Sequence, residues 1–204
     1  MRNSPAEPNR EFMFQAIMSA RCGRSEDARP HPKVGALVVR QGSVVGTAYR
    51  GELAAGEHAE FTLLQKKVPT EDLGGTTLFT TLEPCTTRNH PKKPCVKWIL
   101  ERGIHTVFVG MLDPNPQVYE QGVRRLRNAG ISVDFFPADC REMMRSDNDA
   151  FIEQFKASPD LTGKVSFNFT HNEGKFTLGH GELTFQTRWS NASNSRIHVY
   201  TGGN

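Results

Sequence analysis

The chain predicts an α/β fold, a three-layer α/β/α sandwich around a mixed sheet of five strands, and three observations carry that expectation. Short apolar runs alternate with stretches of helical period between Val34 and Phe155, the first two runs meet at a glycine turn, and later runs are separated by enough chain for a helix. A helix opens the fold, because Met13, Ala16, Ile17 and Ala20 recur at helical spacing and share one face. Residues 34–40 and 44–49 are apolar and β-branched, and Gln41-Gly42-Ser43 joins them as a hairpin. His58 begins a helix carrying Phe61, Leu63 and Leu64, and residues 77–81 follow as a strand. Pro94 suits the first position of a helix running through Leu100, where its fixed φ fits and its missing N–H costs nothing. Residues 105–110 are a strand, 117–129 a helix closed by Gly130, and 131–136 another strand. Met144, Phe151, Ile152 and Phe155 mark one last amphipathic helix. Strands joined through helices lie parallel while hairpin partners lie antiparallel, so the sheet is mixed. The two middle helices are expected to start side by side on one face.

Residues 1–8 are polar with two prolines and read as a flexible arm, so the main domain is expected over 9–157. After Ser158-Pro159 the composition turns to glycine, asparagine, threonine and alternating aromatics. Val165, Phe167 and Phe169 alternate, as do Leu183 with Phe185 and Ile197 with Val199, which predicts a β-rich extension of three or four antiparallel strands over 160–204. So short a piece is expected to pack on the main domain, on a second subunit or on residues outside this chain. A net charge of +3 over 204 residues fits a phosphorylated small molecule as well as a nucleic acid. No apolar run approaches the roughly 20 residues of a membrane span, and the start has no signal-peptide core. Of four cysteines, Cys22 and Cys140 stand alone in predicted helices, a usage that suits a reducing compartment and a cytoplasmic protein.

Two islands carry the chemistry: His58-Ala59-Glu60, and Thr81-Leu82-Glu83-Pro84-Cys85 followed, beyond a loop, by Pro94-Cys95. One imidazole and two thiolates are good zinc donors, and three protein ligands leave the fourth tetrahedral position open, which marks a catalytic rather than a structural site. Water on such a zinc ionises near neutral pH. Glu60, two residues past His58, is placed to move that proton without binding the metal itself. The expected metal ligands are therefore His58, Cys85 and Cys95, with Zn2+ as cofactor and Glu60 as the catalytic acid and base. A structural knot would need a fourth ligand, and His90, in the loop between the cysteines, is the residue that could supply it.

The pattern resembles the zinc deaminases of bases, whose signature is His-x-Glu followed by Pro-Cys-x-x-Cys, with nine residues rather than two between Cys85 and Cys95. From about Glu11 to Phe155 the chain is most similar to the deaminase domain of the bifunctional riboflavin-biosynthesis deaminase/reductase family, within the cytidine-deaminase-like superfamily. The matching pieces are Pro32-Lys33-Val34-Gly35-Ala36, the two zinc islands, Asp113-Pro114-Asn115-Pro116 and Leu126-Arg127-Asn128-Ala129-Gly130-Ile131, in that order. The resemblance implies the cytidine-deaminase-like sandwich and places Leu82 and Glu83 where their carbonyls position the substrate amine. It also implies substrate contact at His31, which stands where the family has an asparagine, and at Arg50, which replaces a histidine. Glu57 replaces a proline, and the loop Thr86-Thr87-Arg88-Asn89-His90-Pro91-Lys92-Lys93 lacks the family's Gly-Arg-Thr segment.

Arg88, Lys92, Lys93 and Lys97 put four positive charges on or beside that loop, either to hold a substrate phosphate or as a solvated face. Arg124, Arg125 and Arg127 read as a solvated face, and Trp98 as core. His105, His171, His180 and His198 have no partner at ligand spacing. The expected activity is hydrolytic removal of an exocyclic amine from a pyrimidine-like base, nucleoside or nucleotide, releasing ammonia. The expected partner is that small heterocycle, with a homo-oligomer open. The family's reductase domain is not expected, because the tail shows no dinucleotide-type glycine loop. Two alternatives stay open. One is deamination of bases in single-stranded DNA or RNA, against which stand the small net charge and the lack of a long aromatic-basic stripe. The other is a non-catalytic zinc scaffold with a partner-binding β tail.

Overall fold

The face shared by Met13, Ala16, Ile17 and Ala20 is buried, and it lays helix α1 (Arg10–Arg21) on the sheet so closely that a Cβ on Gly35 would meet the Ala16 carbonyl at 2.1 Å. The computed structural model describes residues 9–24 and 26–156, and the backbone of 161–167 and 181–187. The chain divides into two units, Met1–Phe155 and Lys156–Asn204.

In the first unit the hairpin forms as its sequence predicts, β1 (Gly35–Arg40) pairing antiparallel with β2 (Ser43–Tyr49) through a turn in which Gln41 and Gly42 take φ of 49° and 77°. β3 (Thr77–Leu82), β4 (Thr106–Met111) and β5 (Ser132–Phe135) complete a sheet of order β2-β1-β3-β4-β5. β3 is the switch, antiparallel to β1 and parallel to β4, which is parallel to β5 in turn. The mixed five-stranded sheet is thus as expected. On one face lie α1 and α5 (Ala138–Asp147); on the other lie α2 (Ala59–Phe61) with the π-helix that continues it (Thr62–Lys67), α3 (Cys95–Glu101) and α4 (Gln121–Asn128). Leu37, Leu78, Phe79, Val107 and Val109 are buried between the layers.

Four expectations need correction. The helix after His58 keeps α geometry for one turn only and then widens, Val68 N bonding to Leu63 O in the π pattern. The Arg102 guanidinium caps that end by donating to the carbonyls of Leu64, Val68, Pro69 and Glu71. Pro94 is the extended residue preceding α3 rather than its first helical one. α4 starts at Gln121, not 117, because Asn115 gathers Gln117, Val118 and Tyr119 into a turn and Glu120 takes a left-handed φ of 60°. The last helix is two, α5 and α6 (Asp149–Glu153), broken at Asn148, whose buried side chain accepts from Lys33 N at 2.7 Å and donates to Met144 O at 2.9 Å.

In the second unit β6 (Leu161–Phe167) and β7 (Gly181–Thr187) pair antiparallel, Leu161 opposite Thr187. The strands expected around Phe169, Ile197 and Val199, and the arm over 1–8, lie outside the described residues, as do His171, His180 and His198. No helix among the described residues is long and apolar enough to cross a membrane.

Candidate metal centre and substrate cavity

His58 caps α2 in extended conformation, so its ring faces the start of α3, against which α2 packs. Cys85 follows β3 by three residues and Cys95 opens α3. The ligand atoms of His58, Cys85 and Cys95 lie within 4.8 Å of one another, with His58 Nδ1 3.5 Å from Cys85 Sγ and 3.4 Å from Cys95 Sγ. Zinc at ordinary bond lengths and tetrahedral angles holds nitrogen and sulfur roughly 3.5 Å apart, so the three donors fit that ion as they stand. His90 is exposed and is not part of this cluster.

The start of α3 acts on Cys85 rather than on its own first residue. Cys95 N, the first amide of α3, donates to Cys85 Sγ at 3.3 Å. A hydrogen bond from the Cys95 thiol pushes Cys85 down to about 4, while that same contact and burial push Cys95 up. Between the bare thiols, Cys85 ionises first.

Glu60 is buried beside them. Its Oε1 accepts from Thr80 Oγ1 at 3.0 Å and its Oε2 lies 3.4 Å from Cys95 Sγ, and burial pushes its carboxyl above the ordinary value. The same Thr80 hydroxyl also faces Leu82 O at 3.1 Å, so the Glu60 carboxyl and the Leu82 carbonyl share one hydroxyl.

Glu83 does something its sequence position did not announce. Its Oε1 accepts from Gly122 N and Val123 N and its Oε2 from Asp113 N and Glu120 N, at 2.7, 3.1, 3.2 and 3.0 Å. The carboxyl caps the first turn of α4 from a distant strand and ties the loop after β4 to the Cys85 segment. Burial pushes its pKa up, and the four amides pull against that.

A cavity of about 260 Å³ opens over these groups, lined by His58, Glu60, Leu82, Glu83 and Cys85 and also by His31 and Arg50. Asp113, Asn115, Phe151 and Phe155 line it as well, with Pro32 and Val34. In the sequence Asp113 and Asn115 belong to a motif that does not announce this place, and the two phenylalanines mark only an amphipathic helix. Burial pushes the Asp113 carboxyl up. Arg88 and Lys92 do not reach this cavity. They line a neighbouring one with Phe61 and Trp98, where Arg88 Nη2 donates to Gly56 O at 2.9 Å. Trp98 is half-buried against Phe61, ring centroids 5.9 Å apart, and packs on the core as expected.

Residues 6–111 match the family model of the cytidine and deoxycytidylate deaminase zinc-binding region. The chain is 36% identical over 191 residues to riboflavin biosynthesis protein RibD of Aquifex aeolicus, covering 93% of this chain and 50% of that one. It is 36% identical over 143 residues to diaminohydroxyphosphoribosylamino-pyrimidine deaminase of Schizosaccharomyces pombe, covering 66% and 35%. Among solved structures, the diaminohydroxyphosphoribosylaminopyrimidine deaminase/5-amino-6-(5-phosphoribosylamino)uracil reductase of Thermotoga maritima superposes with a TM-score of 0.63 at 35% identity, over 72% of this chain and 41% of that one. The chain spans half the length, or less, of these relatives.

Proposed function

The chain belongs to the cytidine and deoxycytidylate deaminase zinc-binding family, and from that membership we propose that it hydrolyses the exocyclic amine of a pyrimidine-like base, nucleoside or nucleotide and releases ammonia. The observation that carries the reading is the convergence of three zinc donors and a buried carboxyl, its proton affinity raised by burial, on one cavity. His58 Nδ1 and the sulfurs of Cys85 and Cys95 would hold the metal. Zinc bound there supplies a water acidic enough to ionise near pH 7 and a Lewis acid beside the amine-bearing carbon. Glu60 takes the two protons of that water in turn, giving the first to the ring nitrogen and the second to the departing amine. Its raised proton affinity suits the uptake, since a carboxyl that ionises too readily is a poor base. Burial keeps bulk water from short-circuiting the transfer. Leu82 O, at the cavity wall, would accept from the substrate amine and fix which face is presented. Arg50, His31 and Glu83 complete the proposed substrate surface, with Arg88 and Lys92 assigned to the neighbouring mouth.

Pyrimidines carried by the riboflavin pathway come first among substrates, because the relatives named for such a pyrimidine match 66% and 72% of this chain at 36% and 35% identity. A cytoplasmic setting goes with the reading and is supported by the lack of a disulfide among the described cysteines. Self-association is included too, supported by β2, an edge strand that exposes Val44; sedimentation at micromolar concentration measures it.

Ammonia release from the zinc-loaded chain tests the proposal against bases, nucleosides, nucleotides, the riboflavin-pathway pyrimidine and single-stranded oligonucleotides. Glu60→Gln should cost a factor of about 10²–10⁴ with zinc unchanged at one per chain. Turnover confined to oligonucleotides would transfer the chemistry to nucleic acid, and silence throughout would favour a zinc scaffold.

A further inference from the structure

Arg50 leaves β2 at a turn anchored by its own N–H on Val34 O at 2.8 Å, and its side chain folds back onto Glu26. Nη2 donates to Glu26 Oε2 at 3.0 Å, and Nε faces Oε1 at 2.9 Å without the alignment of a hydrogen bond. The two side chains are 13% and 11% exposed, so neither can leave without stranding a charge. Nη2 also lies 3.4 Å from His31 Nδ1, and His31 Nε2 lies 3.0 Å from Asp27 Oδ1. A guanidinium only donates and a carboxylate only accepts. His31 therefore carries its proton on Nε2, accepts at Nδ1, and has both ring nitrogens engaged. It has no ring nitrogen left for a substrate.

What remains is Nη1, which takes no partner among the described residues and keeps two donors on a residue that lines the same cavity as His58 and Glu60. The Arg50–Glu26 pair is neutral as a unit, and the acids that share the cavity, Glu60, Glu83 and Asp113, offer an anion no positive partner. A donor held on a neutral mount among carboxyls suits an uncharged acceptor.

We infer that Arg50 is the specificity-determining donor of this cavity, held in place by Glu26 and His31, and that it reads a ring carbonyl oxygen of the substrate. This deepens the deaminase reading and rests on it for the nature of the ring. Asp27 and Glu26 thereby become parts of the recognition apparatus although neither touches the metal-facing wall.

The test uses pairs of aminopyrimidines that differ only in one ring oxo group, cytosine against 4-aminopyrimidine, as bases, nucleosides and nucleotides, with affinity measured by calorimetry on the zinc-loaded chain. A site built to hydrogen-bond a substrate group rejects the analogue lacking it, so the oxo member of at least one pair should bind at least tenfold more tightly. Arg50→Lys keeps the charge opposite Glu26 but loses the fork, and should reduce that preference at least fivefold at unchanged zinc content. His31→Phe keeps a ring but frees Arg50, and should weaken the preference in part while raising KM more than it lowers kcat. Arg50→Gln stands in if Arg50→Lys does not fold. A wild type without preference in every pair, or a preference that survives both Arg50 substitutions, overturns the inference. Ammonia release is scored separately on the same pairs: preference without ammonia leaves Arg50's role standing and sinks the deaminase reading.

Discussion

Replacing Glu83 by Gln removes one oxygen from a carboxyl that serves four buried or half-buried amides, two on each oxygen. The remaining oxygen can keep one pair, Gly122 and Val123 or Asp113 and Glu120. The new NH2 then points donors at the other pair. Each buried donor left unpaired costs about 1–3 kcal/mol, so two of them cost about 2–6 kcal/mol. Relief from burying a charge, visible in the upward push on the Glu83 carboxyl, works the other way and favours the lower half of that range. Urea unfolding of the zinc-loaded protein measures the loss, with Glu83→Ala alongside to remove all four bonds. Zinc affinity should fall with stability, because Cys85 follows Glu83 by two residues and the amides it loses fix the loop opposite. A loss under about 1 kcal/mol for both variants would mean that water satisfies the amides and that Glu83 does not hold α4 to the cysteine segment.

Three further outcomes follow from the same geometry. Gly122→Ala places a Cβ 2.1 Å from Pro84 O and 3.0 Å from Glu83 Cγ; overpacking against backbone should cost about 1–3 kcal/mol in urea unfolding, and unchanged stability would show that the α4 start can retreat freely. Arg102→Ala releases four carbonyls at the end of the π-helix. Water reaches the exposed ones, so the loss should equal that of about one charge-assisted bond, about 1.5–3 kcal/mol, with hydrogen exchange rising first at Val68. Zinc removal by a chelator should lower the melting temperature reversibly, by the equivalent of about 2.7 kcal/mol relative to zinc at a hundredfold above its Kd; an unmoved melting curve would count against His58, Cys85 and Cys95 as its holders.

The metal cluster was legible because metal chemistry restricts residue type so severely. Few side chains bind zinc, the His-x-Glu at His58 and the two cysteines that follow it satisfy the count, and no periodicity is needed to notice them. The strands were legible for a related reason: Leu37, Val39, Leu78 and Val107 are buried by a pattern that local sequence carries. Glu83 was not legible as a helix cap, since the amides it serves lie 30 to 40 residues further on and a remote cap leaves no local signature. Asn148 escaped for the same reason. An asparagine inside an amphipathic pattern reads as a tolerated polar position, and only its bond to Lys33 N, 115 residues away, makes it the break between α5 and α6. His31 lines the cavity, but its occupied nitrogens depend on Arg50 and Asp27, a three-body fact that no single position encodes.

The placement of the cavity follows from the sheet more than from any one residue. β3 and β4 run parallel, so Leu82, Glu83 and Cys85 leave one strand and Asp113 and Asn115 leave the next at the same edge of the sheet. β1 runs the opposite way, and its start brings Val34 to that edge too. Ligands of open α/β sheets gather where strands end and their direction of winding changes. Here β3 is the one strand that pairs antiparallel on one side and parallel on the other. Segments far apart in sequence are thus delivered to one place by topology, and the short-range devices at Glu83, Asn148 and Arg50 need only fix their final ångström. A substitution that weakens one of those devices should therefore blur the cavity before it unfolds the sheet, whereas disrupting the β1–β3 register would remove the site altogether.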